Sequence, residues 1–259
     1  MSYALVVAET RRNIFEERNM DSIGLCSLMG KDAFLLIPFG DYNVNEQYLN
    51  GIIKVKVEES MFLNPVVMVN ILEKIMASHG KPYLMVFTNS ASGTELASYA
   101  AGYFNVPIIT DVSAYDKERG TFSKSYYSDK IFGEFKPSGE GTFIITVRSG
   151  SFKENLCDRN ANPSLEIVED VETNTTRTFM EFVEEEKSGI DITKAEFLLS
   201  IGRGTGNNEE VAEYEELAKL LKAVISGSRP VIDKLWLPKT HQVGTSGKTV
   251  KPKVYLAMG

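Results

Sequence analysis

Apolar residues in this chain fall into short runs separated by segments with helical spacing. Residues 4–9 open with Ala4-Leu5-Val6-Val7-Ala8 and read as a first strand. Residues 32–37, 83–87 and 106–111 read as further core strands, because a strand covered on both faces needs no polar alternation. Residues 52–57 alternate Ile or Val with Lys and predict a half-exposed strand. Residues 11–29 are expected to be helical, although Gly24 weakens that pattern. Residues 64–79 form a clearer helix. Asn64 caps it, Pro65 suits its first turn and Gly80 ends it. A further helix is expected over 93–104, with Ser92 as cap and Glu95 completing a capping box. Strands that alternate with helices of this length define an α/β domain with a mainly parallel sheet. From 121 to 147 the runs shorten and are rich in Tyr, Phe, Ile and Thr, broken by Gly and Pro; added antiparallel strands are expected.

The last part of the chain repeats the alternation. Residues 196–201 are an apolar run, and Gly202-Arg203-Gly204-Thr205-Gly206 is a glycine-rich turn. Residues 208–221 have helical spacing, with Val211, Tyr214, Leu217, Ala218, Leu220 and Leu221 as the apolar stripe. Residues 223–229 read as another strand with a polar tip at Ser228-Arg229. Strand, glycine turn, helix, strand is the order of a phosphate-holding unit, in which free N–H groups and the helix dipole face an anion. Arg203 and Arg229 add fixed charge at the strand ends, where parallel sheets bind ligands. The acid-rich residues 166–187 read as a solvated strand and connector. Ser188-Gly189 marks the boundary between domains over 1–189 and 190–259, and it suits a hinge.

Composition narrows the classes. The chain of 259 residues is 43% hydrophobic and 24% charged, which is globular. A net charge of −7 argues against a nucleic-acid surface. The start of the chain lacks the basic segment and cleavage site of a signal peptide, and no apolar run reaches membrane-spanning length. A cytoplasmic protein without direct membrane insertion is expected, and Cys26 and Cys157 are expected to be reduced thiols. With two histidines, His79 and His241, no Ser/His/Asp constellation or metal-ligand cluster is visible. His79 suits a helix C-terminus.

Two motifs need weighing. The glycine turn lacks the dinucleotide fingerprint, since Asn207 stands where its last glycine would fall. Glu209 and Glu210 suit the helix dipole but compete with an anion there. Gly244-Thr245-Ser246-Gly247-Lys248-Thr249 imitates the end of a P-loop. Gln242 occupies the first glycine position, and Pro252 does not continue a helix. A hydroxyl-rich loop over a ligand is the better reading. Trp236 reads as a packed anchor, and Gln242 as either a ring contact or a turn cap.

The resemblance rests on five stretches, taken in order. They are Ser200-Ile201-Gly202-Arg203-Gly204, residues 227–233, Trp236, residues 242–248 and residues 253–259. Together they resemble the alpha subunit of electron transfer flavoprotein, including the similar Fix-type subunits. Weaker likeness reaches back through Ser92, Pro107 to Asp111, Tyr126, Thr146-Val147-Arg148 and Phe152. The implied fold is a nucleotide-binding-like (Rossmann-like) N-terminal domain with added antiparallel strands, followed by an incomplete Rossmann-like FAD-binding domain. The resemblance implies one FAD, held through Arg203, Ser228, Arg229, Gln242, Val243, Gly244, Thr245 and Ser246. Reduction places negative charge on a flavin ring, and the family keeps an arginine at the position of Arg229 beside it. Where the family has Gln then Thr, this chain has Thr245 then Ser246, so the hydroxyl is kept and the amide lost. The implied partner is a beta subunit carrying AMP or a second FAD. The implied role is electron carriage, with no substrate turnover, from flavin dehydrogenases, typically acting on acyl-CoA, to a quinone reductase or other acceptor.

The resemblance breaks off at Gly259, where family members continue with residues that hold flavin, phosphates and adenosine. A C-terminally truncated chain that binds FAD poorly is therefore expected, against an intact protein that binds it. Two other classes stay open. One is a flavin-free structural or regulatory subunit that keeps the fold. The other is a nucleotide-dependent enzyme using Ser92-Gly93-Thr94.

Overall fold

The computed structural model describes residues 3–127, 129–138, 141–159, 162–183, 191–244 and 246–259. It contains two compact units, 1–180 and 181–259.

The first unit is built on a nine-stranded sheet. The chain enters through β1 (Tyr3–Val7), makes a small hairpin of β2 (Thr10–Arg11) and β3 (Ile14–Phe15), and forms α1 (Asn19–Leu28). β4 (Asp32–Pro38) and β5 (Gly51–Val55) follow, then α2 (Glu59–Phe62), α3 (Pro65–His79), β6 (Leu84–Thr88) and α4 (Ala91–Phe104). β7 (Ile108–Asp116), β8 (Thr121–Tyr126), β9 (Ile131–Phe135), β10 (Phe143–Val147) and β11 (Ser164–Val168) complete the unit. The strand order is β11-β5-β4-β1-β6-β10-β7-β8-β9, parallel except for the antiparallel β7–β8 and β8–β9 pairs.

The continuous apolar runs serve two faces. Leu5, Val7, Leu36, Ile53, Met85, Phe87 and Ile144 pack with α3 and α4. Ala4, Val6, Leu35, Ile37, Leu84, Val86 and Ile145 pack with α1 on the other side. Period-two alternation therefore splits each buried strand between two cores.

The second unit is a parallel three-stranded sheet ordered β13-β12-β14, made of β12 (Phe197–Ile201), β13 (Val224–Gly227) and β14 (Val254–Met258). α5 (Asn208–Leu221) connects β12 to β13, and the short α6 (Arg229–Asp233) follows β13. Leu199, Ile201, Val211, Ala218, Ile225, Val231, Ile232 and Leu237 form its core.

Several expectations need correction. Residues 10–15 form the small hairpin, so the first helix starts only at Asn19. Residues 52–57 are more buried than their alternation suggests, because β11 covers the β5 edge and Lys54 reaches back to the Gly40 carbonyl at 3.1 Å. Helix α4 is capped by Ser90, whose Oγ accepts from Gly93 N at 2.9 Å; Ser92 lies inside the helix, and Glu95 pairs with Arg177 instead of closing a capping box. Of the strands expected within 121–147, β8 and β9 are antiparallel, but β10 is parallel and sits between β6 and β7. The strand over 223–229 stops at Gly227, and Arg229 begins α6 because Pro230 suits a first helical turn. The Ser188-Gly189 boundary and hinge lie outside the described residues.

Candidate functional site

The carboxyl ends of the three parallel strands in the second unit come together through main-chain hydrogen bonds. Gly202 N donates to Met258 O at 2.7 Å, and Ser228 N to Ile201 O at 3.0 Å. Val243 N donates to Gly227 O at 3.0 Å, which ties the loop after residue 241 to the end of β13. One sheet edge thus carries the turn with Arg203, the Ser228-Arg229 step and the 242–248 loop. Parallel sheets bind ligands in the crevice outside such an edge.

The loop has internal order. Lys248 N donates to Gln242 O at 2.8 Å and Gly247 N to Gly244 O at 2.9 Å. A Cβ on Gly247 would lie 2.5 Å from Gln242 O, so only glycine permits this closure. Gln242 is buried, and its Nε2 donates to Ser246 Oγ at 2.8 Å. The bridge from Val243 to Lys248 and the strand that follows at Val254 leave no helix for a P-loop. His241 is a strut. It is buried, and its Nδ1 donates to Ile225 O at 2.8 Å. Its proximity to the loop in sequence gave no sign of this. Lys248 Nζ lies 3.7 Å from Asp191, whose carboxyl is held below the ordinary range by hydrogen bonds from Thr193 and by Lys248. Thr245 lies outside the described residues.

The helix that follows the glycine turn departs from the phosphate-holding pattern. Asn207 Oδ1 accepts from Glu209 N at 2.8 Å and Glu210 N at 3.3 Å, and Asn207 Nδ2 donates to Glu210 Oε1 at 3.2 Å. The Glu210 carboxylate also packs where a Cβ on Gly206 would stand. The positive end of α5 therefore already faces a carboxylate of its own chain. Anion-holding capacity at this edge rests on Arg203 and Arg229, both exposed. Arg229 Nε lies 3.4 Å from Asp233 Oδ2.

These residues fit a flavin nucleotide in part. Two guanidinium groups, the Ser228 and Ser246 hydroxyls and the Gln242 amide suit an anionic group rich in acceptors. The side of Gly244 that a Cβ would fill is open, with no atom within 4 Å. The N-terminus of α5 does not fit.

In the first unit, the corresponding edge is filled by its own polar groups. Between β1 and β6, where the strand order reverses, Thr88 Oγ1 donates to the Glu9 carboxylate and lies 3.3 Å from Ser90 Oγ. Thr94 Oγ1 is 3.3 Å from Asn89 Oδ1. The start of α4 therefore serves its own cap and supplies no open phosphate cradle at Ser92-Gly93-Thr94. Further along, Arg148 donates to Asp111 at 3.0 and 2.5 Å, to Asp129 at 3.0 Å and to Ser125 at 2.6 Å. Asp111 has φ +61° at the register shift between the Ile109/Ile145 and Val112/Val147 pairs of β7 and β10. Asp111 and Arg148 fall in separate stretches of the chain, and no spacing signals that they meet. Among the described residues no group of His, Cys, Asp and Glu could hold a metal ion, and no helix is long and apolar enough to cross a membrane.

Fold and site together define an α/β protein whose second unit gathers a glycine turn, the Ser228-Arg229 step and a glycine-closed loop at the carboxyl edge of a parallel sheet. The chain matches the family described as electron transfer flavoprotein domain over residues 49–173, and the electron transfer flavoprotein FAD-binding domain over 191–259. It is 30% identical over 271 residues to the electron transfer flavoprotein subunit alpha of Methylophilus methylotrophus, covering 100% of this chain and 84% of that one. It is 31% identical over 195 residues to protein FixB of Clostridium saccharobutylicum, covering 71% of this chain and 57% of that one. It is 27% identical over 236 residues to the electron transfer flavoprotein subunit alpha of Syntrophomonas wolfei, covering 90% and 72%. The chain belongs to the electron transfer flavoprotein alpha-subunit family.

Proposed function

We propose that the intact protein is the alpha subunit of an electron transfer flavoprotein that holds FAD in a C-terminal domain that includes residues 190–259. It carries electrons and has no substrate turnover of its own. It pairs through residues 1–189 with a beta subunit that carries AMP or a second FAD. Its donors are flavin dehydrogenases, typically those acting on acyl-CoA, and its acceptor is a quinone reductase or a similar protein. It works in the cytoplasm. The observation that carries this reading is the convergence of Arg203, Ser228-Arg229 and the 242–248 loop at one sheet edge, inside the stretch that matches the FAD-binding domain.

Bound FAD supplies one- and two-electron redox chemistry that amino-acid side chains lack. The chain's own residues hold and orient it. Arg229 sets a permanent positive charge beside the crevice, which favours added negative charge there. Gln242 Nε2 donates to Ser246 Oγ, which leaves the Ser246 hydroxyl proton for a ring acceptor. Val243 and Gly244 bring main chain close to the same region, with Thr245 between Gly244 and Ser246. Arg203 stands exposed in the turn after β12, at the same edge.

The test is co-expression with the beta subunit, followed by visible flavin absorbance of the purified pair. One FAD per alpha chain is expected of the intact protein, with less retained in Arg229→Gln. A pair that purifies without flavin, and takes none up from added FAD, overturns the carrier reading and favours the flavin-free subunit.

A further inference from the structure

The loop after α6 has features that the flavin crevice leaves unused. Leu235 adopts φ +59°, and its side chain is 87% exposed. A bulky residue in the left-handed region is strained, and such strain persists where surrounding structure imposes it. The mounting here is firm. Leu235 N donates to Ile232 O at 2.8 Å, Trp236 N donates to Val231 O at 3.1 Å, and Leu237 is buried in the unit core. Leu235 is therefore a fixed apolar knob.

Its surroundings are those of a contact surface. Trp236 is half-buried, with Lys234 Nζ 4.7 Å from its ring centroid. Leu235, Trp236, Pro238 and Lys239 line an open hollow of about 580 Å³, with Asp233 also on its wall. A tryptophan beside an exposed leucine is the kind of anchor that protein interfaces use. Charge indicates the sign of the partner. The loop carries Lys234 and Lys239 in a chain of net charge −7, whereas Lys248 and Lys253 further on lie against Asp191 and Glu196. Asp233 itself faces Arg229 at 3.4 Å. A basic loop on an acidic protein attracts carboxylates over about 10 Å at moderate salt. Size separates a transient partner from a permanent one. Two or three apolar side chains fall well short of the roughly 2,000 Å² or more of a permanent subunit interface, and suit the small contacts of redox encounters.

We propose that the Leu235–Trp236 loop is a docking point for a redox partner protein that presents an apolar pocket rimmed by Asp and Glu side chains. The proposal rests on the electron-carrier reading.

The test uses the FAD-loaded heterodimer, with butyryl-CoA dehydrogenase kept reduced by excess butyryl-CoA as donor. Leu235→Asn removes the knob with a residue that tolerates positive φ. Leu235→Met keeps an apolar side chain. Lys234→Glu with Lys239→Glu reverses the charge. Leu235→Asn is expected to raise the KM for the dehydrogenase about five-fold, the size of one modest contact. Leu235→Met is expected to stay near wild type, and the charge reversal to raise KM and flatten its salt dependence. Flavin content and reduction by dithionite should not change in any variant, and Leu235→Asn should not lower the thermal midpoint. An unchanged KM in both Leu235→Asn and the charge reversal overturns the proposal. Amide exchange at residues 234–237 of the heterodimer that does not slow further when the dehydrogenase is added also overturns it, as it would with the beta subunit already the occupant. A wild-type pair that lacks flavin, or takes no electrons from the dehydrogenase, strikes the carrier reading first. The docking assignment then falls with it.

Discussion

Replacing Gly247 with alanine puts the closure of the 242–248 loop under direct test. The new Cβ would stand 2.5 Å from Gln242 O and 2.8 Å from Gln242 Cγ. Backbone cannot yield as a flexible side chain can, so residues 242 and 247 must separate. Two hydrogen bonds depend on their present spacing, Lys248 N to Gln242 O at 2.8 Å and Gln242 Nε2 to Ser246 Oγ at 2.8 Å. At about 0.5–1.5 kcal/mol each, their loss costs about 1–3 kcal/mol. The core of the second unit is not touched, so the unit should stay folded. Gly102→Ala is the control. No atom lies within 4 Å of its Cβ position, so alanine should stabilise α4 by about 0.5–1 kcal/mol. Urea unfolding of the FAD-loaded heterodimer measures the stability term, and retained flavin absorbance measures the consequence for the site. The expected result for Gly247→Ala is a lower urea midpoint together with a flavin affinity about ten-fold weaker, as one lost contact implies. Wild-type stability and wild-type flavin content in Gly247→Ala would refute the argument that this loop needs glycine to close.

Three further predictions rest on the first unit. Burial pushes the Cys26 thiol up to about 12, while Cys157 is exposed, so a thiol reagent at mildly alkaline pH should label Cys157 alone until the chain is unfolded. Burial also pushes Tyr3 up to about 12, with Glu166 adding to the shift. Both groups ionise more readily in the unfolded chain, from 9.0 and 10.0, so their contribution is complete below pH 9.0 and fades as pH rises toward about 12. Cys26→Ala should flatten the lower part of that decline in alkaline unfolding curves, and an unchanged slope would count against it. Arg148→Ala removes four hydrogen bonds from a side chain 31% exposed and should cost about 2–3 kcal/mol, below the range for fully buried pairs. Arg148→Lys should recover less than half, since an ammonium cannot form the fork to Asp111; full recovery in urea unfolding would show that charge alone matters there.

Local chemistry made some of this protein legible from its residues. Asn64-Pro65 and Gly80 bound α3 because a cap, a first-turn proline and a terminal glycine act over one helical turn. The span of α5 was readable from its apolar stripe for the same reason. Its filled N-terminus was hinted at by Glu209 and Glu210, but the carboxylate at Gly206 depends on a rotamer. Long-range partners decided the rest. The run over 52–57 looks half-exposed until β11, more than a hundred residues later, pairs with β5. The run over 143–147 resembles another hairpin strand until it inserts in parallel between β6 and β7. The sequence alone established the alternating α/β order, the family and the residue types at the crevice, because periodicity, caps and motifs are local properties of the chain. Tertiary structure alone decided that His241 is a strut, that Arg148 clamps Asp111 and that Leu235 projects from a fixed loop. Each depends on which distant backbone group arrives beside it, and no spacing along the chain encodes that.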